Sequence, residues 1–147
     1  MRVARGHRQT ACMRYALPMN VTPFHVLLVA LGGGLGSALR FLGGDAAQRF
    51  LPAAAIPAGT LAVNVLGSLL IGLIGGYAEG RSAVTPEARL FLLTGLLGGF
   101  TTFSAFAWET LGLGLQGAWW RALLNVAVQL VLGLGAAAAG YFAGRAF

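Results

Sequence analysis

Four long apolar stretches, each near or above the length that carries a helix across a bilayer, constrain this chain more than any other feature. A hydrocarbon core about 30 Å thick takes roughly 20 apolar residues of helix. The stretches run from about Phe24 to Leu42, Ile56 to Ala78, Leu90 to Leu113 and Trp120 to Ala143. The second carries no charge, the third none from Leu90 to Trp108, and the fourth none after Arg121. A backbone in lipid must satisfy its own hydrogen bonds, so such runs become helices. The expectation is an all-α membrane protein with four transmembrane helices. Pro52, Pro57 and Pro86 fall in connectors or at helix starts, where a missing N–H costs little. Thr85-Pro86-Glu87 predicts a helix start with Thr85 as N-cap, and Trp119 and Trp120 suit the aromatic belt at a membrane surface.

Two parts follow, an Arg-rich tail over 1–22 and a four-helix domain over 23–147. The tail holds Arg2, Arg5, Arg8 and Arg14 and no acid. It is compatible with disorder, with the basic head of a signal or transit peptide, or with translation starting at Met13 or Met19. All ten basic residues are Arg, against four acids, a balance of +6. They lie at the ends of the apolar runs and form no basic stripe, which argues for membrane anchoring over nucleic-acid binding. Cys12 is alone, and His7 and His25 have no ligand neighbours at suitable spacing, so no disulfide or metal cluster is expected. With four crossings, Arg81, Arg89 and Arg145 lie on one side and Arg40, Arg49 and Arg121 on the other. Arg imbalance sets orientation, and here it vanishes unless the tail is counted. A chain without preference can insert both ways and pair with its inverted copy.

The third run contains Gly98-Gly99-Phe100-Thr101-Thr102-Phe103-Ser104-Ala105-Phe106. Paired glycines and hydroxyl residues weaken a helix, so the spacing predicts a helix broken near Gly98–Thr102. Non-helical backbone at membrane depth is tolerated only where protein covers it or where it lines a wet cavity or ion site. Phe100, Phe103 and Phe106 recur every three residues and share one face. Gly32, Gly36 and Arg40, with Gly33 and Ser37, form a small face on the first helix, suited to close helix packing. Arg40 ends it, snorkelling to the interface or facing a vestibule. Thr60, Asn64 and Ser68 form a polar stripe on the second helix. For Asn64, interhelical glue and ligand contact both stay open. Asn125, Gln129 and Gly133 repeat the pattern on the fourth, where packing is the expected role. Glu109 is expected to pair with Arg121 or to lie exposed. No acid–base pair, catalytic triad or phosphate loop is present, which argues against an enzyme. The rings offer positive edges and Asn64 an amide, a set suited to a small anion.

Gly59-Thr60-Leu61-Ala62-Val63-Asn64-Val65-Leu66-Gly67-Ser68 and the Gly98–Phe106 run together resemble the signature of the Fluc (CrcB) family of fluoride channels. Gly32-Gly33-Gly34-Leu35-Gly36-Ser37-Ala38-Leu39-Arg40-Phe41 is similar to that family's first helix. The resemblance covers about residues 24–147. It implies an antiparallel, dual-topology homodimer in the plasma (inner) membrane, with two pores that export fluoride passively. By the same resemblance, Asn64 is the pore asparagine, and Phe103 and Phe106 are the aromatic pair along the anion route. Thr102 and Ser104 join the polar track, Arg40 the vestibule and Glu109 the pore mouth. A structural Na+ on the dimer axis would be held by the backbone carbonyls of Gly98 and Thr101 from each copy. Ala105 departs from the family's frequent second Thr and leaves one hydroxyl fewer. Two rivals remain: a small multidrug exporter, which relies on a first-helix glutamate missing here, and a non-transporting membrane scaffold.

Overall fold

A computed structural model describes residues 20–79 and 84–147. Among the described residues it is all-helical, and four of its helical stretches are long and apolar enough to cross a membrane. The first, α1, runs Pro23–Phe50. Thr22 caps it by accepting from the His25 N–H at 3.4 Å, while His25 Nδ1 accepts from the Thr22 N–H at 3.2 Å. His25 is thereby part of a capping box, two terminal donors satisfied reciprocally. The helix continues two turns beyond the expected end at Leu42. Gly43 and Gly44 weaken the helix there but do not break it, and Arg49 binds Asp45 one turn back at 2.9 Å, a spacing that supports a helix.

The second crossing, α2, spans Ala58–Ala78. The third, Pro86–Leu115, is assembled from pieces. α3 (Pro86–Arg89) is capped by the Thr85 hydroxyl, which accepts from the Ala88 N–H at 3.2 Å. A π-helical segment, Leu90–Leu97, follows and runs into α4 (Gly98–Phe100). Phe103–Leu115 forms α5, and the fourth crossing, α6, spans Trp119–Ala146. Gly117, at φ 76°, turns the chain between α5 and α6. The N–H groups of Gly117 and Ala118 return to the carbonyls of Gly114 and Leu113 at 2.9 Å each. These two bonds close the helix end in the Schellman pattern, which needs a left-handed residue that glycine adopts without strain.

Backbone-to-backbone packing holds the bundle together. A Cβ on Gly32 would come within 2.6 Å of the Phe91 carbonyl oxygen, and one on Gly36 would strike that of Leu96. The small face of α1 thus lies against the π-helical segment. A second seam joins α2 to α6, where Gly72 abuts Ala137, and Gly140 and Gly144 abut Leu69 and Leu73. Small residues allow this approach, and van der Waals contact drives it where lipid removes a hydrophobic driving force. Large apolar side chains point outward instead. Leu27, Leu31, Leu35 and Leu39 form an exposed stripe along α1, suited to lipid or to a second protein surface.

Candidate functional site

Between α4 and α5 the backbone leaves helical geometry for two residues. Thr101 has φ −87° and ψ 158°, and Thr102 has φ −151° and ψ 112°. Their hydroxyls bind the adjoining helix ends. Thr101 Oγ1 donates to the Leu97 carbonyl at 3.0 Å, and Thr102 Oγ1 caps α5 by accepting from the Ala105 N–H at 3.2 Å. Ser104 Oγ lies 3.2 Å from Thr102 Oγ1.

Extended residues have backbone groups that no helix satisfies, and side chains from α1 and α2 reach them here. The Thr102 N–H donates to Asn64 Oδ1 at 2.8 Å, and Asn64 Nδ2 donates back to the Thr102 carbonyl at 3.1 Å. Arg40 Nη1 donates to the Thr101 carbonyl at 3.4 Å, so its guanidinium faces protein rather than the membrane edge. Asn64 Nδ2 also donates to Gln129 Oε1 at 3.3 Å. Both amide protons of Asn64 are then committed within the chain. On α6, Asn125 is 0% exposed and Gln129 8%. Asn125 Nδ2 donates to Thr110 Oγ1 at 2.8 Å, which donates to the Phe106 carbonyl at 2.7 Å. Gln129 Nε2, Asn125 Oδ1 and Glu109 Oε2 are buried without a hydrogen-bond partner among the described residues. These α6 amides, expected to serve packing, bond directly to the Asn64 and Thr110 side chains. Their four-residue spacing on an apolar helix was the available signal.

A cavity of about 630 Å³ opens beside the extended residues, lined by Arg40, Gln48, Thr60, Thr102, Ser104 and Glu109 among others. One guanidinium, one carboxylate and three hydroxyls share it. Glu109 is neither paired with Arg121 nor simply exposed: its Oε1 accepts from Thr60 Oγ1 at 2.6 Å. Arg121 instead donates through Nε to the Ala55 carbonyl at 2.5 Å and holds the α1–α2 connector. The periodicity of α5 cannot show this, because the partner of Glu109 sits on α2 and that of Arg121 in a loop.

The phenylalanines lie elsewhere. Phe103 and Phe106 meet edge to face, with centroids 5.5 Å apart and planes at 63°. Phe103 is 77% exposed, and Phe106 lines a separate apolar groove of about 410 Å³ between α5 and α6. Within the chain the polar cavity and the aromatic pair are therefore on different faces of the third crossing. Gly98, one turn before the extended pair, is exposed. Its carbonyl and that of Thr101 are oxygen donors of the kind that suits an alkali cation, though the Thr101 carbonyl also accepts from Arg40.

Residues 27–141 match the family model described as CrcB-like protein, Camphor Resistance (CrcB). The chain belongs to the CrcB family. Several curated relatives carry the name fluoride-specific ion channel FluC. That of Opitutus terrae is 48% identical over 120 residues, 80% of this chain and 89% of the relative. Those of Agrobacterium fabrum and Maridesulfovibrio salexigens are 43% and 40% identical, each covering more than four fifths of this chain and nearly all of the relative. The CrcB relatives are thus named for ion conduction, not for an enzymatic reaction. With four apolar helices, the chain is a multi-pass membrane protein of that family.

Proposed function

We propose that this chain forms a fluoride-selective channel that lets fluoride leave the cytoplasm passively across the plasma membrane. The carrying observation is the double pairing of Asn64 with Thr102 beside a polar cavity, in a chain whose relatives are named fluoride-specific ion channels. Thr101 and Thr102 form a break in the third helix at membrane depth. Backbone there survives only where protein or a wet cavity meets it, as Asn64, Arg40 and the cavity do. Arg40 supplies the positive charge of the vestibule, and Glu109 balances it at the pore mouth. Thr102 and Ser104 offer hydroxyls, and Asn64 can give an amide proton to the anion in exchange for its 3.3 Å bond to Gln129. Each contact replaces part of a hydration shell weakly enough to be left again, as conduction requires.

The working unit is an antiparallel homodimer of dual topology. Its first support is the Arg balance. Arg40 bonds to the break rather than marking a membrane edge, so with the 1–22 tail left aside the tally is Arg49 and Arg121 on one side against Arg81, Arg89 and Arg145 on the other. So small a bias sets orientation weakly. The second is the exposed Phe103, whose ring edge can face an anion path shared with the other copy. The third is the carbonyl pair of Gly98 and Thr101. Two oxygens from one protomer are too few to enclose a Na+, and two inverted copies would supply four. When bound, that ion would neutralise carbonyl dipoles at the dimer axis.

Fluoride efflux from liposomes holding the purified protein, followed with an ion-selective electrode and compared with chloride, tests the function. Rapid fluoride release with negligible chloride release is expected. Silence toward fluoride removes the reading. Cysteine labelling from each side tests the topology, with both orientations expected.

A further inference from the structure

Four residues of α1 line the polar cavity, Arg40, Phe41, Gly44 and Gln48, and three of them, Arg40, Gly44 and Gln48, are spaced in fours. Residues four apart share a helix face, and eight residues rise about 12 Å. Arg40 marks the level of the break, where it bonds to Thr101. Gln48 is exposed and stands at the open end.

Contact between α1 and α2 orients its amide. A Cβ on Gly59 would lie 2.6 Å from the Gly44 carbonyl oxygen, so the two backbones touch at these glycines. That brings Gln48 to the first turn of α2, whose N-cap, Pro57, offers no side-chain cap. The Gly59 N–H donates to Gln48 Oε1 at 3.4 Å. A backbone N–H can only donate, so the branch that meets it is the amide oxygen and the other branch is the NH2 group. Gln48 Nε2 has no hydrogen-bond partner among the described residues, and the residue lines the same cavity as the hydroxyls of Thr60, Thr102 and Ser104.

We propose that Gln48 is a hydrogen-bond donor at the mouth of the cavity, where its Nε2–H groups meet a small anion before it reaches Arg40. The proposal rests on the fluoride-channel reading and adds a residue to it. A neutral amide suits the place because it replaces water around the anion without holding it as a full charge would. The carboxylate in the cavity wall, Glu109, accepts from Thr60 at 2.6 Å, and Asp45, three residues before Gln48, is held by Arg49 at 2.9 Å; both bonds temper the repulsion of an arriving anion.

The full chain and its Gln48→Met and Gln48→Glu variants, reconstituted in liposomes, test this by fluoride efflux at limiting and at saturating fluoride, with thermal stability measured in parallel. Methionine keeps the length and loses both hydrogen-bonding branches. Glutamate keeps an acceptor for the Gly59 N–H and loses the donor. Flux at limiting fluoride should fall about three- to tenfold in Gln48→Met, the worth of one neutral hydrogen bond, and much less at saturation. Gln48→Glu should match the parent in stability and still conduct poorly at limiting fluoride. Parental flux in Gln48→Met overturns the proposal. So does a deficit that follows lost stability and disappears in Gln48→Glu, for Gln48 would then only cap α2. A parent chain silent to fluoride refutes the channel reading itself, and this role falls with it.

Discussion

Asn64 and Thr102 are joined by two hydrogen bonds that use both backbone groups of Thr102, one at 2.8 Å and one at 3.1 Å. An amide is the side chain that can do this, since it carries a donor and an acceptor side by side. The pair lies 38 residues apart in the chain, and it ties the second crossing to the extended part of the third.

Asn64→Leu should destabilise the fold as well as stop conduction. It orphans the N–H and the carbonyl of Thr102, which is 9% exposed, and each buried unpaired group costs about 1–3 kcal/mol. Thermal unfolding in detergent and fluoride efflux read the two effects separately. A variant as stable as the parent would mean that the double pairing does not hold the break.

Phe103→Ile and Phe106→Ile should behave differently. Phe103 is largely exposed and Phe106 lines an open groove, so little packing is lost and stability should change by under about 1 kcal/mol. Fluoride efflux should nevertheless slow by more than about tenfold, because isoleucine has no positive ring edge to offer an anion. Parental efflux in both variants would remove the rings from the conduction path.

Gly36 and Gly34 make a matched test of the α1 seam. A Cβ on Gly36 would strike the Leu96 carbonyl, whereas one on Gly34 meets nothing within 4 Å. Gly36→Ala should cost about 1–3 kcal/mol through overpacking, and Gly34→Ala should be neutral or slightly stabilising, since alanine favours a helix. Thermal denaturation of the two variants checks the contrast.

The proposed Na+ site predicts that exchange of Na+ for a bulky organic cation lowers the thermal stability of the proposed dimer and, with it, fluoride efflux. The dimer's melting temperature, measured by the loss of the cross-linkable species, is the readout that does not depend on conduction. Equal stability in both salts would discard the cation.

How far the chain could be read in advance varied with the kind of interaction. The helix start at Pro86 follows from local chemistry, a Thr before a Pro, and the cap at Thr85 forms accordingly; the same Thr-Pro pair at Thr22-Pro23 opens α1. The apolar run that predicts the first crossing ends near Leu42. The helix persists to Phe50 because local hydrogen bonding and the Asp45–Arg49 pair do not require an apolar environment. That extension is what brings Gln48 to the cavity. Glu109 shows the opposite case: its nearest countercharge in the sequence was a poor guide, since its partner is a hydroxyl on another helix.

By itself, the amino-acid sequence determined the four crossings, their connectors, the small faces and the stripes of amide and hydroxyl residues, all of which depend on neighbours within a turn or two. Tertiary structure alone decided that Asn64 meets Thr102 and Gln129, that Arg40 meets Thr101, and that Thr60 meets Glu109. The physical reason is that a hydrogen bond between helices requires both their rotation and their relative depth to within a few tenths of an ångström. Periodicity supplies the rotation of each helix only roughly and its depth not at all. Those were set by the glycine contacts at Gly32, Gly36, Gly59 and Gly72, where backbone meets backbone and leaves little freedom to slide.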